Sequence, residues 1–512
     1  CSYYTIPFHS FADNQVIFNI SFLVVYYDIL KSLTDPTLYD RIQLREAFER
    51  YPCGTVYPYG NVQRPLLFVC QEEKNLKYGK TAGDVRTLLA FTIPLILSGL
   101  FQQVFNWVDA FIVGNVEGEL ALAGIGATTS IYNLFVTVIT GFTSGLSVLT
   151  AQQFGMGKEK EIGAILSAYT ILLGLCFSAV SIAGALLTSR ILLLLDTPAN
   201  IFDSAEGYLK ILFAGIPFLA VYNTFSSVLR GIGDSRAPFF AVLVSSGANV
   251  VLDLIFVAGL GYGAQGAAAA TVIAQAAMTV FVVGYGMKKY PILRRGFSKN
   301  QKAGILRRGA AFGLPPAVQS GASSIGNVFL QRFMNGFGEQ TVAAITTAYR
   351  VDTVIFLPII NFGSGIATMV AQKTGAGDRR GAKGMFRVGC GMMAAISLSL
   401  TVLVLFAGEH LIAMFGLTPE SVEIGKNFFF SIAGFYFVYG FCMAVRGYLE
   451  GTGDMLFSGA AGIAALLVRI ACSYGFRGLF GNMVVAYAEA FSWIFLLGIL
   501  AWRYWRKRAG NR

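Results

Sequence analysis

From Val85 onward, apolar runs alternate with short polar segments. Each run has about 20 residues, enough to cross the roughly 30 Å hydrocarbon core of a bilayer as an α-helix. The pattern predicts two groups of six membrane-spanning helices separated by a basic segment. The predicted spans are 86–112, 121–150, 163–189, 205–228, 237–259 and 265–287, followed by 308–333, 342–371, 383–407, 424–446, 456–475 and 482–503.

Composition agrees with a polytopic membrane protein. The chain has 512 residues, of which 55% are hydrophobic and only 13% charged, whereas a soluble domain has about 25% charged residues. A net charge of +11 is also typical of nucleic-acid binding. Here the basic residues lie in short loops and in the tail 503–512, so the positive-inside rule explains them better. We therefore predict an all-α membrane protein with no nucleic-acid partner.

The basic loops also predict the orientation of the helices. Connections rich in lysine and arginine alternate with connections that hold few, and the rich ones belong on the cytoplasmic side. The core is thus expected to begin and end in the cytoplasm, as a multi-pass protein of the cell inner membrane. The basic positions are Lys158, Lys160, Arg230, Arg236, 288–308, 373–387, Arg446 and the C-terminal tail.

An internal repeat organises the twelve predicted helices. Residues 151–157 (AQQFGMG) recur as 371–377 (AQKTGAG), and 229–234 (LRGIGD) recur as 449–454 (LEGTGD), both with an offset of 220. Because each half holds an even number of spans, the two halves have the same orientation. Parallel repeats of this kind are one of the transporter architectures, with the substrate path between two lobes.

The repeat predicts the following domain organisation. Residues 81–290 form an N-lobe of six helices, and 308–505 form a C-lobe of six helices. Residues 291–307 are a basic cytoplasmic linker, and 506–512 are a basic cytoplasmic tail. Residues 1–80 differ in composition from the rest, and we expect an N-terminal extension that is weakly structured or foreign to the fold.

Polar residues inside the apolar runs predict a cation site in the N-lobe. Asn249 and Asp253 are four residues apart, so they share one helix face. A carboxylate at the membrane centre costs about 2.5–3.5 kcal/mol on insertion scales and usually faces a cavity. Asp109, Tyr208 and Thr271 fall at similar depth, within about 10 Å, in the outer half of the bilayer.

These oxygen ligands suit Na⁺, and the buried carboxyl groups can equally take a proton, because burial favours their neutral form. Neutralisation would bias the helices between two arrangements. Purely structural roles for these residues remain open. Asn249 and Asp253 can form a structural pair, Asp109 can be an interfacial helix-end carboxylate, Tyr208 can belong to an aromatic belt, and Thr271 can serve helix packing.

The second half lacks this acidic pair, because an offset of 220 places Ser473 where the first half has Asp253. Its own intramembrane carboxylates are Asp352 and Glu489, which can serve the substrate or a second proton. For Asp352, an ion pair with Arg350 is a structural alternative. Polar residues that can line a substrate path, or simply bond neighbouring helices, are Gln102, Asn106, Gln275, Asp352 and Glu489.

Several motifs in order make residues 85–505 resemble the multidrug and toxic compound extrusion (MATE) family. They are 93–94 (IP), 108–114 (VDAFIVG), 151–157, 229–234, 348–352 (AYRVD) and 371–372 (AQ). The resemblance implies two lobes around a cleft, alternating access, and export of amphipathic, often cationic compounds in exchange for Na⁺ or H⁺.

The resemblance also implies a cation site in the first lobe. The family pattern has an Asp on the first helix, a Tyr on the fourth, an Asn-x3-Asp on the fifth and a Thr on the sixth. The matching residues are Asp109, Tyr208, Asn249, Asp253 and Thr271. Residues 315–327 contain Gln319 but no acid, which departs from a branch with a Glu in the seventh helix and favours the DNA-damage-inducible-like branch.

The predicted function is a secondary antiporter that works as a monomer among membrane lipids, with a small organic substrate and no cofactor or metal beyond a possible Na⁺. A flippase for lipids or lipid-linked precursors is an alternative, but it would be expected to have extra helices and cleft arginines, whereas the arginines here lie mostly in loops. A channel is a less favoured alternative. An enzyme is not expected, since we find no nucleophile–base constellation and only His9 and His410 as histidines.

Overall fold

The computed structural model describes residues 77–117, 119–295 and 303–510. The chain separates into two units, Cys1–Lys74 and Asn75–Arg512, and everything below concerns the second. The predictions for residues 1–80 and for most of the linker 291–307 therefore lie outside the described residues.

The described chain is built of long helices. In the first half they are α1 (Lys77–Glu117), α2 (Glu119–Gly155), α3 (Glu159–Leu194), α4 (Ala199–Gly231), α5 (Arg236–Gly259) and α6 (Gly263–Lys289). In the second half they are α7 (Ala303–Met334), α8 (Glu339–Gly375), α9 (Arg379–Ala413), α10 (Pro419–Gly451), α11 (Met455–Gly475) and α12 (Val484–Gly510).

The predicted twelve-helix fold is confirmed. Eleven helices of the described residues are long and apolar enough to cross a membrane. The twelfth, α7, is more polar, but its 32 residues span about 48 Å at 1.5 Å per residue. Most helices extend past their predicted ends, because the apolar run marks only the part of a helix that faces lipid. The end of α5 and the middle of α10 depart from α geometry: the six residues Leu254–Gly259 form a π-helix, and the three residues Ala433–Phe435 form a 3-10 turn.

The repeat is visible in the turns that follow equivalent helices. The Asp234 N–H donates to the carbonyl of Leu229, and the Asp454 N–H donates to that of Leu449. The glycine before each aspartate has a positive φ, 98° in the first half and 90° in the second. Such a φ favours glycine. The same residues therefore end the fourth helix of each half in the same way.

Each half of the described chain has its own hydrophobic core, but the first helix of each half also contributes residues to the core of the other half. Leu88, Phe91 and Leu95 of α1 are buried in the core formed mainly by α8–α12. Ala317 of α7 is buried in the core formed mainly by α2–α6. The N-terminal part of each first helix thus packs on the opposite half, which connects the two lobes at that end.

A symmetric pair of hydrogen bonds joins the two halves at the end that carries the basic loops. Gln152 Nε2 donates to the carbonyl oxygen of Gly451 over 3.0 Å, and Gln372 Nε2 donates to that of Gly231 over 2.8 Å. Gln372 and Gly451 are the repeat equivalents of Gln152 and Gly231. We call these four residues the interlobe contact. The structure is therefore closed on the side that carries the basic loops.

An aspartate in the turn after the fourth helix of each half bonds the last helix of that half. Asp234 is reached by Lys289 Nζ at 3.0 Å and by the Tyr290 hydroxyl at 2.8 Å. Asp454 is reached by Arg503 Nε at 2.7 Å. Burial favours the neutral form of Asp234, but the hydrogen bonds from Tyr290 and Lys289 outweigh it and lower its pKa below the ordinary value.

We expect Asp234→Ala to lower the thermal stability of the purified protein. It removes a nearly buried carboxylate with charged hydrogen bonds, each worth about 1.5–3 kcal/mol. Because the folded-state pKa is lowered, this stabilisation is present above the ordinary pKa of aspartate, about 3.9, and is lost as the pH falls through the lower folded value. Thermal unfolding at neutral pH checks this, with the exposed Asp203 changed to Ala as control. Equal melting temperatures for the two variants would contradict it.

Candidate functional site

The predicted cation site lies where α5 leaves α-helical geometry. Asp253 is completely buried and is the last α-helical residue before the π-helix Leu254–Gly259. A π-helix is rare and occurs frequently at functional sites. Asn249 lies one turn earlier and is half-buried, so the α5 face predicted from the sequence carries both side chains.

The structure brings the two N-lobe carboxylates together. Asp109 of α1 lies beside Asp253 of α5, and the two carboxyl groups interact directly. Tyr208 of α4 is within electrostatic range of both carboxylates and of Tyr132. Residues from three helices that are far apart in the sequence therefore meet at one point.

α6 joins this group through a tyrosine that the sequence reasoning missed. Gln275 Nε2 donates to the hydroxyl of Tyr132, on α2, over 2.7 Å. Thr271 is half-buried and lies one turn before Gln275 on the same face of α6. Tyr132 lies in a half-polar stretch of α2 without any motif of its own, so its depth could be inferred but not its direction.

Several polar atoms of this group are buried without a hydrogen-bond partner. They are Asp109 Oδ1, Asn249 Nδ2, both carboxylate oxygens of Asp253, and Gln275 Oε1. Buried polar atoms are nearly always hydrogen-bonded, and an exception requires an explanation. Four of these five atoms are oxygens, and two belong to a single carboxylate. They fit a small cation or a proton.

The surroundings of the site are apolar and closely packed. Tyr208 belongs to a buried cluster with Ile112 and Val113 of α1 and Val257 of the π-helix, completed by Ala264, Ala267 and Ala268 of α6. The small α6 side chains allow the helices to approach closely. In such an environment an uncompensated charge is costly, so the protonation or occupancy of Asp253 strongly affects the energy of this helix arrangement.

The predicted substrate-path residues do not form one group. Gln102 and Asn106 are exposed on α1, and their spacing puts them on the side of the helix that carries Asp109. Gln275 belongs to the N-lobe site itself. Asp352 and Glu489 lie in the second lobe.

Asp352 and Glu489 are joined in the second lobe by an arginine. Arg469 Nη2 donates to Glu489 Oε2 over 2.7 Å and to the Tyr349 hydroxyl over 2.9 Å. The Tyr436 hydroxyl donates to Asp352 Oδ1, and Arg469 interacts electrostatically with Asp352. We call these five residues the C-lobe network.

The structure does not support the alternative pairing of Asp352 with Arg350. Asp352 is 2% exposed and faces Tyr436, whereas Arg350 is exposed and lines an open depression with Glu339 and Thr346. Neighbouring residues on a helix point in different directions: a separation of two rotates the side chain by about 200°.

The interpretation that arginines lie mostly in loops is incomplete. Arg469 lies within α11, and Arg446 lies within α10 with its guanidinium bonded to Glu450 and Gln319. Both side chains are largely buried, 16% and 20% exposed. The missed signal was an arginine inside the apolar run 456–475, at the repeat position of Asn249.

Comparison with known proteins identifies the family. The MatE family model matches residues 94–255 and again 315–474, which together cover more than half of the chain, with one match in each lobe. The chain therefore belongs to the MatE (MATE) family of multi-pass membrane transporters, as the sequence motifs predicted.

Relatives and solved structures agree. The chain is similar to the probable multidrug resistance protein YpnP of Bacillus subtilis, with 28% identity over 383 residues, 74% of this chain and 85% of the relative. It is also similar to the multidrug export protein MepA of Staphylococcus aureus, with 20% identity, 81% of this chain and 93% of the relative.

Among solved structures, a crystal structure of MATE in complex with MaL6 matches with a TM-score of 0.77 and 21% identity, covering 83% of this chain and 97% of that one. An outward-facing conformation of a multidrug resistance MATE family transporter matches with a TM-score of 0.77 and 19% identity, covering 85% and 99%. At these identities the structures support the two-lobe fold alone.

Proposed function

We propose that this protein is a secondary antiporter that exports amphipathic, often cationic organic compounds in exchange for a cation bound at Asp253. The observation that carries the proposal is the fully buried Asp253 carboxylate, which lies beside the Asp109 carboxyl group and has no hydrogen-bond donor at either oxygen among the described residues. A cation or proton supplies the missing partner. Asn249, Tyr208 and Thr271 complete the site from neighbouring faces.

Either H⁺ or Na⁺ can be the coupling ion. A proton bound between two adjacent carboxyl groups removes one negative charge and supplies a hydrogen-bond donor. Na⁺ would instead use the oxygens of both carboxylates together with those of Tyr208, Thr271 and Gln275. Carboxylate and neutral oxygens are typical ligands for hard cations, so both forms of coupling fit the same side chains.

Transport into proteoliposomes distinguishes the two ions. A Na⁺ gradient and a pH gradient are imposed separately, and uptake of a fluorescent cationic dye is recorded against empty liposomes. We expect one gradient to drive dye transport and the other to have no effect beyond the background. A conductance that persists without either gradient would instead support the channel alternative.

The interlobe contact supports the proposal that transport works by alternating access. The hydrogen bonds of Gln152 and Gln372 close the cytoplasmic end, and opening to the cytoplasm requires both to break. Cation binding at Asp253 would change the energy of one arrangement relative to the other, which is the condition for a population shift. The conformation described here would be the outward-facing one of the cycle.

Substrate class is proposed from the relatives, which are named as multidrug resistance or export proteins. The flippase alternative needs a cationic group for a lipid phosphate. Arg446 and Arg469, the two largely buried helix arginines discussed above, are each paired with a glutamate. That pairing favours export of cationic compounds over phosphate recognition.

We further propose a monomer in the cell inner membrane, with both ends of the twelve-helix core in the cytoplasm. The basic residues at the interlobe end support this orientation. Assignment to the DNA-damage-inducible-like branch rests on the N-lobe acidic pair and on the absence of an acid from residues 315–327.

A further inference from the structure

The repeat shows which C-lobe residues correspond to the cation site. The turns after α2 and α8, and those before α5 and α11, are offset by 220, as the positive-φ glycines 157 and 377, and 233 and 453, show. Tyr132 therefore corresponds to Asp352, and Asn249 corresponds to Arg469. Asp253 corresponds to Ser473, whose hydroxyl is bonded to the carbonyl of Arg469.

The start of the sixth helix follows the same repeat. Gly261, before α6, has a φ of 65°, and Gly481, before α12, has a φ of 56°, again at an offset of 220. Thr271 then corresponds to Phe491, and Glu489 lies two residues earlier on α12. Asp352 and Arg469 of the C-lobe network therefore stand at positions of the N-lobe site, with Glu489 close in sequence to the counterpart of Thr271.

The two lobes differ in whether a positively charged side chain lies beside their buried carboxylates. In the N-lobe, Asp109 and Asp253 lie side by side, and neither oxygen of Asp253 accepts a hydrogen bond from a donor among the described residues. In the C-lobe, Asp352 and Glu489 are within electrostatic range of each other, Arg469 bonds Glu489 and interacts electrostatically with Asp352, and Tyr436 bonds one oxygen of Asp352 while the other has no donor among the described residues.

The arginine is held through one nitrogen of its guanidinium, since its buried Nε has no hydrogen-bond partner among the described residues. Its Nη2 group bonds both Glu489 and Tyr349, and the guanidinium lies 5.7 Å from the centre of the Tyr349 ring. Asp352 and Glu489 are 2% and 8% exposed. Since two buried carboxylates need a compensating charge, the guanidinium does for this lobe what a bound cation does for the other.

We propose that Arg469 is a built-in cation that occupies the C-lobe counterpart of the coupling site and restricts exchange to the N-lobe. The inference rests on the proposed function of the N-lobe site. It implies that one transport cycle uses a single cation site. It also implies that replacing the arginine by the N-lobe residue opens a second cation site between Asp352 and Glu489.

Cation binding to purified protein tests the proposal. The bound cation is counted by equilibrium binding of radioactive Na⁺ and, in parallel, by proton uptake in weak buffer. We expect one site in the wild type, none in Asp253→Asn, two in Arg469→Asn, and one in the double variant. Arg469→Lys keeps a positive charge and should retain a single site. Arg477→Asn, at an exposed arginine, is the matched control and should also bind one.

Two results would overturn the inference: an Arg469→Asn protein that binds no more cation than the wild type, or an Arg469→Lys protein that gains a site as Arg469→Asn does. Thermal stability gives a second readout if Arg469→Asn is poorly folded. When choline in the buffer is replaced by Na⁺, or when the pH is lowered, the melting temperature of Arg469→Asn should rise more than that of the wild type. Equal increases for the two proteins would count against the proposal.

The experiment can refute the N-lobe coupling site and the C-lobe inference independently of each other. If Asp253→Asn still binds one cation, as the wild type does, the N-lobe assignment is wrong. The number of cations bound by Arg469→Asn can still be compared with the number bound by the wild type. If Asp253→Asn loses the cation and Arg469→Asn gains none, only the C-lobe inference is wrong.

Discussion

Asp253→Asn is expected to insert and fold but to reduce gradient-driven dye export to the level of empty liposomes. The amide has nearly the shape of the carboxyl group but carries no charge and takes up no proton. The variant would therefore resemble a permanently neutralised site, and a site that does not change its charge cannot couple a gradient to a conformational change. The measurement is dye transport in proteoliposomes with the driving gradient identified for the wild type.

The matched control is Asp203→Asn, an exposed aspartate on α4. It removes the same charge outside the site and should transport as the wild type does. Asp109→Asn should also impair export, because Asp109 is the direct neighbour of Asp253. Normal export by Asp253→Asn would show that coupling occurs elsewhere.

Gly155→Ala is expected to trap the transporter open at the interlobe contact. A Cβ atom at Gly155 would lie 2.0 Å from the carbonyl oxygen of Gln372, and one at Gly375 would lie 2.1 Å from that of Gln152. The lobes can close only if the backbone moves. Overpacking of this kind costs about 1–3 kcal/mol, which shifts the equilibrium about 5- to 150-fold, and Gly375→Ala should act in the same way.

The distance between spin labels at Lys160 and Arg380 reports this change. Both residues are exposed and lie a few residues after Gly155 and Gly375, and they are repeat equivalents. We expect a longer distance and loss of export in Gly155→Ala. Gly284→Ala on α6 is the control, because nothing lies within 4 Å of a Cβ at that position. An unchanged distance distribution in Gly155→Ala would remove the interlobe contact from the account.

The helices could be predicted from the sequence because lipid restricts the backbone to few conformations. Every buried backbone group must be bonded within its own helix, so an apolar run of the right length predicts a helix. The π-helix after Asp253 was not predictable in this way. It conserves the apolar pattern and changes only the hydrogen-bond spacing.

The N-lobe group was predicted by depth, and depth alone does not give direction. Asp109, Tyr208 and Asp253 could be expected together because three helices placed them at one level. Tyr132 and Tyr436 are ordinary aromatic residues in a chain with 23 tyrosines, so only the packing reveals their partners. Arg469 was available to sequence reasoning, since the offset of 220 leads to it directly from Asn249.

Cation release on substrate binding is the most direct test of exchange through the site at Asp253. A cationic dye is added to purified protein in weak buffer, and released protons and Na⁺ are recorded together. We expect release of one cation by the wild type and none by Asp253→Asn. Dye binding without any cation release from the wild type, or equal release from Asp253→Asn, would contradict it.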